Sequence, residues 1–180
     1  MLYELEDIRE FMKQKCIHNI KFCDLSIDPI KFVRPLGIFK IDKKDPYHWI
    51  IRMWGPFESI YKNGIFSITI HFPDDFPNKA PIVNFNTKIY HLQVSPSGQS
   101  ICAKFLKIWK KETSIIELLV GIYLFFTEYQ NPFSPYDGQM ANLYKTNINE
   151  FNGIVKKWVL EYAKPSDEDL LLTSKTYENI

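Results

Sequence analysis

Apolar and polar positions alternate along "GIFSITIHF" (64–72). Phe66, Ile68, Ile70 and Phe72 take one side, and Ser67, Thr69 and His71 the other. A period of two marks a strand with one buried face. "GIFKID" (37–42), "YHWIIRMW" (47–54) and "PIVNFN" (81–86) predict three more strands. "DKKDP", "GPFES" with "KNG", and "PDDFPNKAP" supply the turns between them. Linkers this short favour an antiparallel meander, because parallel strands need longer crossovers. Asp74 and Asp75, between Pro73 and Pro77, fit a solvated turn better than a pair of working carboxylates.

Helical spacing governs both ends of the chain. Leu5, Ile8, Met12 and Cys16 predict a helix over 2–16, with acidic residues early and lysines late. Residues 17–34 read equally as strand, helix or loop. Further on, Ser114 and Glu117 form a capping box that opens "IIELLVGIYLFF". This helix is apolar almost all round, which predicts a central buried position. The two prolines of "YQNPFSPYDG" end it. A short helix is expected around 138–145 and a longer one over about 148–163. Asn147 and Glu150 cap the latter, and Phe151, Ile154, Val155, Trp158, Val159 and Tyr162 form its apolar stripe. After Pro165, "SDEDLLLTSKTYENI" reads as a tail or a short helix with Ser166 as its cap. Strands and helices segregated in this way predict an α+β fold.

Composition narrows the function classes. The 180 residues are 46% hydrophobic and 16% aromatic, as a globular domain requires. A net charge of +1 implies no bulk attraction to nucleic acid or to a membrane surface. No apolar run reaches the roughly 18 residues of a membrane span. The N-terminus is acidic and lacks a signal-peptide pattern. Cys16, Cys23 and Cys102 are odd in number and far apart, with no Cys-x-x-Cys, so neither a metal nor a cofactor is expected. Free thiols fit a reducing compartment, which places the protein in the cytoplasm, the nucleus or both. Phosphate-binding, dinucleotide-binding and kinase motifs are missing from the sequence.

A stretch of about 25 residues after Asn86 has no clear period, and such stretches are often functional. It contains "KIYHLQVSPSGQSICAKF" (88–105). Cys102 there is either a small buried hydrophobe or a nucleophile presented after a Ser-Pro-Ser-Gly-Gln turn. His91 lies eleven residues earlier, but closeness in sequence does not make a catalytic dyad. His18, His48 and His71 read as structural or exposed. Lys110 and Lys111 fit a solvated face, or a contact with an acidic partner.

Over about residues 35–164 the chain resembles the ubiquitin-conjugating enzymes. "YHWIIRMWGPFESIYKNGIF" is similar to that family's strand, Gly-Pro turn and Tyr-x-x-Gly-x-Phe entry to the next strand. "ITIHFPDDFPNKAPIVNFNTKIYH" resembles its Phe-Pro-x-x-Tyr-Pro-x-x-x-Pro stretch. "GQSIC" aligns with the approach to the catalytic cysteine, Trp109 with the tryptophan that follows, and "EYQNPFSP" with a loop before the last two helices. The resemblance divides the chain into an extension over 1–34, a core domain over 35–164 and a tail or short helix over 165–180.

That resemblance implies a mechanism and a set of partners. Cys102 would take the C-terminal carbonyl of ubiquitin, or of a ubiquitin-like modifier, from an activating enzyme as a thioester. A substrate lysine would then attack it, often with a ligase holding both partners. An already activated carbonyl asks for an accessible thiolate and a donor for the oxyanion, not for a full triad. The family's His-Pro-Asn reads His91-Leu92-Gln93 here. His91 is expected to order the loop, and Gln93 is the candidate oxyanion donor. Leu92, Lys104, Asn131 and Ser134 are expected at the rim, where a cation at Lys104 favours the thiolate. Pro77, Asn78, Lys110 and Lys111 fall where the family meets its ligases. The retained Cys102 favours an enzyme. The changed Leu92 and Gln93 suit a weak or inactive module that serves as a binding partner or adaptor.

Overall fold

The computed structural model of the chain describes residues 37–45, 47–95, 100–127 and 135–177. The helix expected over 2–16 and the residues over 17–34 lie outside these. Four strands form one antiparallel sheet in the order of the sequence: β1 (Ile38–Asp45), β2 (His48–Trp54), β3 (Ile65–His71) and β4 (Ile82–Phe85). This is the meander that the short linkers imply.

Two apolar rows set the register. Trp49 pairs with Ile70 and Ile70 with Val83; Ile51 pairs with Ile68 and Ile68 with Phe85. All six are buried. A slip of one residue would turn both rows to the outer face. Each buried side chain contributes about 1.5–3 kcal/mol, against about 1 kcal/mol net for a ladder hydrogen bond, so packing decides the register.

Helix α1 is a single turn, Lys104–Lys107. Helix α2 (Ile115–Thr127) lies on the sheet, with Phe126 against Phe66 and Phe85 at ring separations of 4.9 and 5.4 Å. Its capping box forms as predicted: Ser114 N–H donates to Glu117 Oε2 (2.6 Å), and Glu117 N–H donates to Ser114 Oγ (3.2 Å). Gly121 lets α1 approach α2, since a Cβ there would stand 2.8 Å from the Phe105 ring. Asp137 caps α3 (Gly138–Thr146), accepting from the amides of Gln139 and Met140. Asn147 caps α4 (Ile148–Tyr162), whose Phe151, Val155 and Val159 are buried.

The residues after Pro165 form a helix, α5 (Asp167–Tyr177), capped by Ser166 Oγ, which accepts from Asp169 N–H (3.2 Å). It joins the face of the sheet opposite α2. Arg52 Nη2 reaches Asp169 Oδ2 at 2.6 Å, Trp54 Nε1 donates to Thr173 Oγ1 at 3.1 Å, and Lys40 lies 3.5 Å from Glu168. Asp169 also accepts from the Ser166 amide and hydroxyl and is only 1% exposed. The outward positions of β1 and β2 therefore do not all face solvent.

Removing one partner from a buried pair typically costs about 3–5 kcal/mol. Arg52 keeps partial access to water, so solvent screening discounts this one. Asp169→Ala is expected to lower the unfolding free energy by about 2 kcal/mol. Urea titration checks this, and a change under about 0.5 kcal/mol would show that the pair does not hold α5.

Candidate active site

The site begins at the end of α2. The last four carbonyls of a helix have no partner within it. The Phe125 carbonyl is one of these, and His91 Nε2–H donates to it at 3.3 Å. The other ring nitrogen, Nδ1, accepts from Gln93 N–H at 3.0 Å, which fixes the tautomer. The imidazole is 1% exposed and stacks on Phe125 at 4.2 Å and on Tyr61 at 5.9 Å. Burial pushes its pKa from 6.5 down to about 3, partly opposed by the bond to Phe125. His91 is thus a neutral structural clasp between the Phe125 carbonyl and the Gln93 amide.

From this clasp the chain runs into a narrow hairpin. Val94 bridges Ile101 in antiparallel fashion, and Ser95 N–H donates to Ser100 O at 2.9 Å. Cys102 N–H donates to Gln93 O at 2.8 Å, and the Gln93 side-chain Nε2 donates to Cys102 O at 3.1 Å. Gln93 therefore holds both backbone groups of Cys102. Within the stretch that showed no period, residues 93–95 and 100–102 are held by these local pairs.

Cys102 is a thiol, not a disulfide sulfur, of intermediate exposure. It is neither sealed in the core nor fully open. Ala103 beside it is buried and anchors the strand end. The cation at the thiol is Lys107, one turn beyond the Lys104 expected there. Its side chain hydrogen-bonds Cys102, and that bond and the thiolate charge raise its pKa above the usual lysine value. Lys107 was missed because four residues of helix are too short to leave a period in the sequence. Lys104 is exposed and opens α1.

Tyr136 closes one side of the site. Its amide donates to Leu92 O at 2.9 Å, and its hydroxyl lies 2.7 Å from Ser100 Oγ. The Leu92 side chain is fully buried, so what it offers the site is its carbonyl. That corrects the rim position expected of it: an apolar side chain next to a buried imidazole gains more in the core than in water. Asn131 and Ser134 lie outside the described residues.

Pro77, Asn78, Lys110 and Lys111 sit on two loops joined at Trp109. Trp109 Nε1 donates to Pro77 O at 2.8 Å, and its ring lies 5.9 Å from Phe76. Asn78, Lys110 and Lys111 are exposed. Asp75 pairs with Lys79 at 2.5 Å within the preceding turn, so the Asp74–Asp75 pair is a surface turn. Among the described residues no three His, Cys, Asp or Glu side chains form a metal cluster, and no helix is long and apolar enough to cross a membrane.

The clasp yields a prediction. The unfolded chain binds a proton at this histidine below pH 6.5, whereas native His91 stays neutral down to about 3. The unfolded state binds more protons in that window, so stability rises with pH across it, by up to about 1.4 kcal/mol per unit. His91→Phe, which keeps the ring and loses both hydrogen bonds, is expected to cost about 2–4 kcal/mol at neutral pH. Its urea stability should also vary less with pH between about 4 and 6.5 than that of the parent. Parallel pH profiles would refute the clasp.

Comparison with known proteins gives the family and the fold. A family model described as ubiquitin-conjugating enzyme matches residues 34–159. A Toxoplasma gondii ubiquitin conjugating enzyme E2 domain is 28% identical, covering 75% of this chain and 94% of that one, with a TM-score of 0.66. A Plasmodium yoelii protein described as a candidate ubiquitin conjugating enzyme is 23% identical, covering 91% and 99%, also with a TM-score of 0.66; it speaks for the fold alone. The family match takes in the sheet, the hairpin that carries Cys102 and most of α4. The chain therefore belongs to the ubiquitin-conjugating enzyme family.

Proposed function

We propose that the protein accepts ubiquitin, or a ubiquitin-like modifier, as a thioester on Cys102 and passes it to a substrate lysine. The observation that carries this reading is the placement of Cys102. It is a partly exposed thiol beside a lysine, with its backbone held by a half-buried, hydrogen-bonded Gln93. A purely structural cysteine needs neither exposure nor a cation.

In the first step the Cys102 thiolate attacks the modifier's C-terminal carbonyl, and the activating enzyme's sulfur leaves as a thiolate. Lys107 keeps positive charge next to the attacking sulfur. In the second step a neutral substrate amine attacks the same carbon and forms a tetrahedral oxyanion. Collapse makes the isopeptide bond and expels the Cys102 thiolate; the amine's proton goes to solvent. Gln93 is the donor we assign to the oxyanion. One Nε2–H bonds the Cys102 carbonyl, and the second remains for the developing charge. The loops joined at Trp109, with Pro77, Asn78, Lys110 and Lys111, are the surface we assign to a ligase. Two exposed lysines there favour an acidic partner patch.

Incubation with activating enzyme, ATP and ubiquitin is expected to give an adduct that thiol reductant removes. Cys102→Ala should abolish it, and Cys102→Ser should leave a reductant-resistant ester. No adduct with ubiquitin or any ubiquitin-like modifier overturns the transfer reading in favour of an adaptor. Gln93→Ala is expected to slow discharge to free lysine by about a hundredfold, with a smaller effect on charging. Equal slowing of both steps would confine Gln93 to holding the loop.

A further inference from the structure

We propose that the cavity between the β2–β3 turn and α4 is a docking site for an acidic segment of a partner protein, which seats an aromatic or leucyl side chain in it. The proposal stands apart from the transfer reading. No residue used for it belongs to the hairpin of Cys102 or to the loops joined at Trp109. The cavity measures about 530 Å³, within the roughly 300–1,000 Å³ of pockets that take a ligand. Val159 and Ser59, both buried, line it from the core, and Phe57 and Leu160 line it at the surface. Lys62 comes to it from the turn and Lys156 from the helix.

Both sides of the cavity are held in shape before anything binds. Ser59 donates twice to Pro56 O, from N–H at 2.9 Å and from Oγ–H at 2.8 Å, and Lys62 N–H donates to Ser59 O at 3.3 Å. Asn63 completes the turn at φ +70°, a left-handed conformation that asparagine adopts more readily than most residues. Gly55 N–H donates across the turn to Gly64 O at 2.8 Å. The end of α4 is pinned to the same turn, since Ile65 N–H donates to Ala163 O at 2.8 Å. Gly64 permits this approach, because a Cβ there would stand 2.9 Å from Val159 Cγ1. A preformed site loses little binding energy to ordering itself.

The lining sets the chemistry of the occupant. Phe57 is 62% exposed and Leu160 76%, so both elements present apolar surface at the cavity. Lys62 Nζ lies 5.6 Å from the centre of the Phe57 ring, over an aromatic face. Among the described residues, neither Lys62 nor Lys156 is paired with an acidic side chain. Glu58 also lines the cavity, and its charge acts on the Tyr123 phenol of α2. Two cations on separate elements thus flank an apolar cleft. A small anion answers one of them. A peptide with carboxylates on both sides of an apolar anchor answers both and covers Phe57 and Leu160 as well.

The probe is a fluorescein-labelled hexapeptide in which two glutamates stand on each side of a Trp-Leu pair. Its anisotropy is followed as the full chain is added at low ionic strength. We expect a Kd of about 100 µM or tighter, as suits a small interface. Leu160→Ala should weaken binding about tenfold, and so should Lys62→Glu combined with Lys156→Glu. The peptide with lysines in place of its glutamates should bind that double variant better than it binds the parent. All three side chains are exposed, so the variants should keep the parent's urea midpoint. A peptide that does not bind overturns the proposal. So does binding that these substitutions leave unchanged, or that survives replacement of the Trp-Leu pair by two alanines. Two other occupants are tested alongside. Dodecanoate that binds where the peptide does not assigns the cavity to a small amphiphilic anion and overturns the proposal. Self-association in sedimentation that Leu160→Ala abolishes assigns the face to a second copy of the chain and overturns it equally.

Discussion

The neutral imidazole of His91 joins the Phe125 carbonyl at one ring nitrogen to the Gln93 amide at the other. The first bond satisfies a helix terminus that would otherwise be buried without a partner. The second fixes where the chain turns out of the core. Gln93, so placed, holds the amide and carbonyl of Cys102. The position of the thiol relative to the sheet thus passes through one side chain. A charged imidazole could not serve, because it would lack an acceptor for Gln93 and would carry an unpaired charge in an apolar site. Burial keeps it neutral, and its neutrality keeps the loop in place.

The same economy of contacts explains the changed residues beside it. Leucine in the middle of His-Leu-Gln sends its side chain into the core, and its carbonyl accepts from Tyr136. The loop is then held by packing and hydrogen bonds, without the fixed φ of a proline. Gln93 reaches Cys102 O with its longer side chain and still spans the hairpin at 3.1 Å. Departures that look disruptive in the sequence are thus accommodated in three dimensions, while the thiol keeps its exposure.

Much of the fold was legible in the residues because its signals are local. Alternation in 64–72 places Phe66, Ile68 and Ile70 on one face, and the capping residues Ser114, Asn147 and Ser166 all take the bonds their positions imply. Helix α5 was legible as a short helix with a cap. Its seat on the outer face of the sheet was not, since Arg52 and Asp169 are 117 residues apart and each looks like an ordinary surface charge. Lys107 was hidden for a related reason: its contact with Cys102 depends on a single turn of helix whose position is set by Phe105 against Gly121.

By itself the sequence determined the strands and helices, the antiparallel order of the sheet, the family resemblance and the one thiol worth examining. The elements and their order follow from periodicity, capping or turn chemistry within about a dozen neighbouring residues, whereas the thiol was singled out by the resemblance. Only the tertiary structure decided that His91 is a neutral clasp, that Leu92 belongs to the core, and that Lys107 is the cation at Cys102. These depend on which groups lose their water together, and burial of that kind arises only when distant segments meet.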